Sequence, residues 1–116
     1  MDNDAAWADI ERWYASPIAA PLRAAIDAHG DHWFGERVRL YAVDEIVERN
    51  ETYQTQVYCP GYVTIGDDSG GRAFVVHGKL DPPTVFAVGH GSMSEIDFVE
   101  VGAELSRWIS DGCPFG

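Results

Sequence analysis

Cys59-Pro60-Gly61-Tyr62-Val63-Thr64-Ile65-Gly66-Asp67-Asp68-Ser69-Gly70-Gly71-Arg72-Ala73-Phe74-Val75-Val76-His77 reads as strand, turn, strand. Tyr62 to Ile65 is aromatic or β-branched throughout, which suits a pleated surface. Gly66 to Gly71 then places three glycines and three turn-forming polar residues in six positions. Glycine reaches positive φ without a steric penalty, and Asp and Ser side chains bond back to nearby backbone N–H groups. Arg72 to Val76 resumes an apolar strand. A β-hairpin with a longer-than-minimal loop follows from these local preferences.

Working outward from the hairpin, Thr55 to Tyr58 reads as a short strand before a Cys59-Pro60-Gly61 turn. Upstream, Val43 to Tyr53 returns to helical spacing, with Val43, Ile46, Val47 and Asn50 inward and Asp44, Glu48 and Glu51 on the other side, Glu45 beside them. Arg37 to Tyr41 alternates as a half-buried strand, Val38 and Leu40 on one face and Arg37, Arg39 and Tyr41 on the other. Asp31 to Gly35 reads as a loop carrying two large aromatics.

Two helices precede these. Asp4 to Ala15 sets Trp7, Ile10, Trp13 and Tyr14 on one stripe, with Asp4 as N-cap and Ser16-Pro17 as the stop. Pro21 to Ala28 has Leu22 and Ile26 inward and Gly30 as a left-handed cap. Downstream, Gly78 to Pro83 reads as a turn, Thr84 to Val88 as an apolar strand broken at Gly89-His90-Gly91-Ser92, and Gly102 to Ser110 as a closing helix. Its apolar face is Val101, Leu105, Trp108 and Ile109, with Gly112 and Pro114 ending it. Antiparallel hairpins followed by a closing helix argue for an α+β fold, helices on a mostly antiparallel sheet, rather than a wound parallel sheet.

With 116 residues, 46% hydrophobic and 23% charged, the chain has the size and composition of one globular domain, residues 1–116. No apolar run approaches the roughly 20 residues of a membrane span, and Met1-Asp2-Asn3-Asp4 lacks an apolar leader region. Cys59 and Cys113 match no metal-binding spacing and each precedes a proline, so two free thiols in a reducing, cytoplasmic compartment are expected. A net charge of −11 repels a phosphate backbone and argues against direct nucleic-acid binding, while favouring encounter with a basic partner.

No catalytic motif emerges. Asp67-Asp68 lacks the alternating ligands and distal Glu of a calcium loop, and turn chemistry accounts for both. The glycines precede a strand, not a helix, and no G-K-[ST] follows, so they form no phosphate loop. His29-x-x-His32 near Asp27 and Asp31 is a loose set of metal-ligand types straddling a helix end. His77, His90, Ser69, Ser92 and Ser94 stand in no nucleophile context. No cofactor is implied, and the oligomeric state is left open.

Asn50-Glu51, then Tyr58-Cys59-Pro60-Gly61-Tyr62-Val63-Thr64-Ile65-Gly66-Asp67-Asp68-Ser69-Gly70-Gly71, resembles the signature of the SUKH superfamily, the Smi/Knr-type domain. That family joins an apolar strand ending in Ile-Gly to a second through an acidic, glycine-rich turn. The helix–Gly ending and Leu-Tyr strand of Ala28 to Glu48, and the strand, turn and Leu/Trp helix of Val85 to Ile109, also resemble it. The resemblance covers the chain from about Pro17 onward and implies an α+β domain that binds proteins. Many bacterial members neutralise a cognate toxin, often a nuclease or deaminase; eukaryotic members are interaction modules in cell-wall signalling. Gly61, Gly66, Gly70 and Gly71 are then structural.

The expectation is a non-catalytic immunity protein that occludes a basic toxin, with Asp44, Glu45, Glu48, Glu51, Asp67 and Asp68 as electrostatic contributors. A regulatory or scaffold module for an endogenous protein is the alternative. A metal-dependent hydrolase using the Asp67-Asp68 turn is the rival class.

Overall fold

The computed structural model describes residues 3–115; Met1 and Asp2, the beginning of the acidic start noted above, lie outside the described residues. The Tyr62–His77 hairpin stands at the centre of one six-stranded antiparallel meander, in which each strand pairs with its neighbours in sequence. In chain order the strands are β1 (His32–Phe34), β2 (Val38–Leu40), β3 (Tyr62–Asp67), β4 (Arg72–His77), β5 (Val85–Gly89) and β6 (Val99–Gly102). The helices are α1 (Asp4–Tyr14), α2 (Ala20–His29), α3 (Ile46–Tyr53), α4 (Thr55–Tyr58) and α5 (Leu105–Ser110). The fold is α+β, with helices packed against the sheet, as the hairpin pattern leads one to expect.

Both sheet faces are covered. Val63 and Ile65 of β3, Phe74 and Val76 of β4, and Val85 and Ala87 of β5 share the main core with Trp7 and Ile10 of α1, Leu22 and Ile26 of α2, and Leu105, Trp108 and Ile109 of α5. On the opposite face Tyr62, Ala73, Val75 and Val88 form a smaller cluster with Cys59 and Met93, flanked by Tyr53, Phe86 and Phe98. Double coverage is why Ala73 to Val76 is a continuous apolar run instead of an alternating one.

The hairpin turn divides its conformational demands unevenly. Gly71 has φ +107° and Ser69 takes the left-handed region at φ 62°. Gly66 answers a different need: β2 presses so closely on β3 that a Cβ there would collide with the Arg39 carbonyl oxygen. A register shift between Thr64 and Gly66 accompanies that contact. Gly30 is similar. It is extended (φ −61°, ψ 152°), not the left-handed cap read from the sequence; a Cβ would meet the carbonyl oxygens of Ile26 and Tyr41 at 2.7 and 2.8 Å. The positive φ falls on Asp31 instead.

Several elements differ from the sequence reading. Asp4 is the first helical residue rather than the N-cap, and its carboxylate accepts from Arg23. Residues 31–35 are not simply a loop: His32–Phe34 pairs with β2 as an edge strand, leaving Trp33 56% exposed. Tyr41 does not share the outer face with Arg37 and Arg39; β2 ends at Leu40, and Tyr41 turns inward to 1% exposure. Residues 43–53 begin with a 3-10 turn (Val43–Glu45) before α3. Thr55 to Tyr58 is helical, entered through left-handed Gln54 and held by Thr55 Oγ1 against Thr64 Oγ1 at 3.0 Å. Val101 and Gly102 belong to β6, and α5 starts only where the Glu104 carboxylate accepts from the Ser106 and Arg107 N–H groups.

Candidate functional site

Two helices with separate polar anchors flank a surface groove. α1 is held at both ends. Trp7 is buried and its Nε1 donates to Asp27 Oδ1 at 2.7 Å, while the Tyr14 hydroxyl donates to the Gly61 carbonyl at 2.7 Å. α3 is fixed through Asn50. Its Oδ1 accepts from the Thr64 N–H at 2.7 Å, and its Nδ2 donates to the Thr64 and Ile46 carbonyls at 2.9 and 2.8 Å. Because β2 pairs with β3 only at Gly66 and Asp67, the carboxamide serves as a one-residue strand for Thr64.

Between these anchored helices runs a groove of about 380 Å³. Ala6 and half-buried Trp13 of α1 face Val43 and Val47 of the α3 segment across it. Its rim is charged: Asp9 and Arg12 on one side, Asp44 and Glu51 on the other. Arg12 donates to Asp9 at 2.8 Å, so that pair neutralises itself. Asp44 and Glu51, with Glu48 beside them, are exposed, and their carboxylates have no hydrogen bond or ion pair among the described residues. Ala6, Val43 and Asp44 also line a second furrow of about 460 Å³, which continues past Asp27 and Asp31. Asp44 thus stands where the two furrows meet, and Trp13 and Glu51 line the first alone.

The other acidic residues singled out from the sequence lie elsewhere and are engaged inside the fold. Glu45 leaves the outer stripe. Its Oε1 accepts from Arg39 at 2.6 Å and from the Ala42 N–H at 2.9 Å, and Arg49 approaches at 3.7 Å. Burial opposes its ionisation, but the Arg39 and Ala42 hydrogen bonds outweigh that and hold the carboxyl below the usual glutamate range. Asp67 accepts from the Tyr41 hydroxyl at 2.7 Å and from the Ser69 N–H at 3.0 Å. Asp68 is 3% exposed and accepts from the Gly70 and Arg72 N–H groups at 2.8 and 3.0 Å. Burial again raises its carboxyl, and those backbone donors, with Arg37 nearby, bring it below the usual range. Gly61 (φ +90°) sits at the base of the hairpin beside the His77 ring, and Gly70 contributes its N–H to the turn.

The two arginines expected on the outer strand face differ in their surroundings. Arg39 is one-fifth exposed and paired with Asp31 and Glu45. Arg37 is largely exposed, its guanidinium 4.8 Å above the Phe115 ring.

Tyr41, Tyr53, Asp67, Arg49 and His90 form a network behind α3. Tyr41 Oη lies 3.2 Å from Tyr53 Oη, the Tyr53 and His90 rings are 4.4 Å apart, and Arg49 stacks 5.3 Å over Tyr41. Burial first, then its hydrogen bonds to Tyr53 and Asp67, raise the Tyr41 phenol far above its ordinary value, so it stays a neutral donor. The network joins α3 to β3 and to Tyr41, the residue after β2.

Among the described residues no group of three or more His, Cys, Asp or Glu is placed to hold a metal ion, and no helix is long and apolar enough to cross a membrane. Cys59 and Cys113 are free and buried, their thiols pushed up to about 11 and about 12 respectively, chiefly by burial.

The sequence reading missed Trp13 and Asp9 as site residues by placing Trp13 simply in the core stripe. The available signal was positional. Ala6, Asp9 and Trp13 recur at helical spacing on the flank of the Trp7-Ile10-Tyr14 face, where a large ring is only half covered. In comparison with known proteins, the chain matches no family model and no curated sequence.

Proposed function

We propose that this chain is a non-catalytic protein-binding domain of SUKH type that acts as an immunity protein, neutralising a basic toxin by covering its working surface. The observation that carries this reading is the groove between α1 and α3, an apolar floor edged by Asp44 and Glu51 with no internal partners. Free carboxylates beside an apolar trough attract a cationic surface over a distance and then fix its register. The net charge of −11 extends the same preference to the whole molecule. The resemblance of Asn50-Glu51 and the Tyr58–Gly71 stretch to the immunity-rich superfamily supplies the biological class. An interface of standard size takes about 800 Å² of each partner, a modest share of the 6064 Å² that this chain exposes.

The test pairs affinity capture from the native host with co-expression. Wild-type protein should retain one basic partner whose toxicity in a sensitised strain it relieves. The triple reversal Asp44→Lys, Glu48→Lys, Glu51→Lys should slow association about ten-fold or more at low salt. Recovery of housekeeping proteins alone, or an association rate unmoved by the reversal, rejects the reading.

A further inference from the structure

The groove has two distinct ends. Asp44 stands at the junction with the second furrow, whereas Trp13 and Glu51 line the first furrow alone. Seven residues separate Asp44 from Glu51, roughly 10 Å along a helical segment. One cationic group is therefore too small to satisfy both carboxylates. Trp13 adds a half-buried aromatic ring beside an apolar wall of Val43 and Val47. Among the described residues Arg12 is the one cation on the rim, and it pairs with Asp9.

We infer that this groove docks an arginine-bearing segment of the protein partner, with one guanidinium stacked on Trp13 and paired with Glu51 and a second cation held by Asp44. The inference rests on the protein-binding reading above and specifies what that partner presents. Arginine fits each component. Its aliphatic stem lies on Ala6, Val43 and Val47, its planar and weakly hydrated head stacks on an indole, and its fork meets a carboxylate in two places. A wholly apolar segment would desolvate Asp44 and Glu51 without pairing them, which is unfavourable. A second copy of this chain would bring 19 acidic residues against 8 Lys and Arg to an already acidic rim. A phosphate backbone would be repelled.

The indole N–H groups make the site directly readable. Trp7 and Trp108 donate internally, to Asp27 and to the Pro114 carbonyl, while Trp33 is exposed on an edge strand outside the groove and serves as a control for non-specific cation binding. The probe is the capped peptide acetyl-Arg-Gly-Gly-Arg-amide, titrated into the full chain and followed by ¹H–¹⁵N correlation spectra. Its citrulline counterpart is the uncharged control. The Trp13 indole and the Ala6, Val43 and Val47 amides should shift while the Trp33 indole stays in place, and citrulline should bind at least about ten-fold more weakly. Asp44→Asn with Glu51→Gln should weaken the arginine peptide about ten-fold, and Trp13→Leu, which keeps the floor apolar, about five-fold.

A silent Trp13 resonance, equal shifts at Trp33, or equal affinity of the citrulline peptide overturns the docking slot. A host partner that binds the Asp44→Asn/Glu51→Gln variant as tightly as wild type also overturns it, yet leaves the protein-binding reading standing. If no basic partner exists but the peptide still shifts Trp13 selectively, the slot is established and the immunity reading falls.

Discussion

Residues 43–53 carry polar side chains on two sides, and the two sides do opposite things. Facing the sheet, Asn50 completes the hydrogen bonding of Thr64, and Glu45 is bound by Arg39 and the Ala42 N–H. Facing out, the carboxylates of Asp44, Glu48 and Glu51 have no hydrogen bond or ion pair among the described residues. The hairpin turn repeats the first pattern, because buried Asp68 accepts from the Gly70 and Arg72 N–H groups through Oδ1 and faces Arg37 through Oδ2. Acidic residues that look equivalent in a charge count divide into those that hold the fold and those left for another molecule. Net charge measures their sum, and only geometry separates them.

Asn50→Ala should give the largest stability loss on the inner side. It strips partners from a buried N–H and a buried carbonyl in the middle of β3, where no neighbouring strand substitutes. Leaving such groups unsatisfied costs about 1–3 kcal/mol each, and some relaxation is expected, so the loss should be about 2–4 kcal/mol. At 116 residues each kcal/mol lowers Tm by about 4 °C, so urea and thermal unfolding both resolve the effect. A loss below about 1 kcal/mol would mean that water or the backbone readily replaces the carboxamide, and the inner face would not be the structural one.

Asp68→Asn comes next, at about 1–2 kcal/mol, since an amide oxygen still accepts but without charge assistance and with an amide nitrogen turned toward Arg37. Its pH dependence sharpens the contrast. The folded carboxyls of Asp68 and Glu45 lie below the ordinary aspartate and glutamate values. Their stabilisation is therefore complete above those unfolded values and is lost as pH falls through the lower folded ones. Between about pH 5 and pH 2 the wild type should lose more stability than the Asp68→Asn variant. Parallel acid limbs for the two proteins would show that Asp68 contributes no linked protonation.

The architecture was readable where local chemistry and tertiary need agree. Tyr62–Ile65, the glycine-rich turn and Ala73–Val76 specify a hairpin by composition alone, and the sheet grows around it. The reading failed where three- or four-residue elements depend on neighbours. His32–Phe34 and Val99–Gly102 are edge strands too short to show a period, and Thr55–Tyr58 is a single turn whose β-branched Thr55 and Val57 mimic a strand. Gly30 and Gly66 were legible as punctuation but not as contact points, because the Tyr41 and Arg39 carbonyls that press on them come from residues distant in sequence. The candidate groove was half visible. Asp44, Glu48 and Glu51 appear as a stripe, whereas Glu45 leaves that stripe because the 3-10 turn changes its angular position, and Trp13 becomes a groove residue only once α1 and α3 lie together.

The smallest stability effect belongs to the outer side and is the most discriminating. Asp44→Asn with Glu51→Gln removes two exposed charges that bond nothing in the fold, so unfolding free energy should move by no more than about 0.5 kcal/mol. The sign is also specified: in a chain of net charge −11, losing two like charges relieves repulsion, so the change should be slightly stabilising at low salt. Because the Debye length falls to about 3 Å at 1 M salt, that gain should vanish there. Matched urea titrations at 10 mM and 1 M sodium chloride provide the measurement. A loss exceeding about 1 kcal/mol would place Asp44 or Glu51 among the groups that hold the fold. A small, salt-sensitive gain means that folding does not need these carboxylates, which is the condition under which a binding surface keeps them.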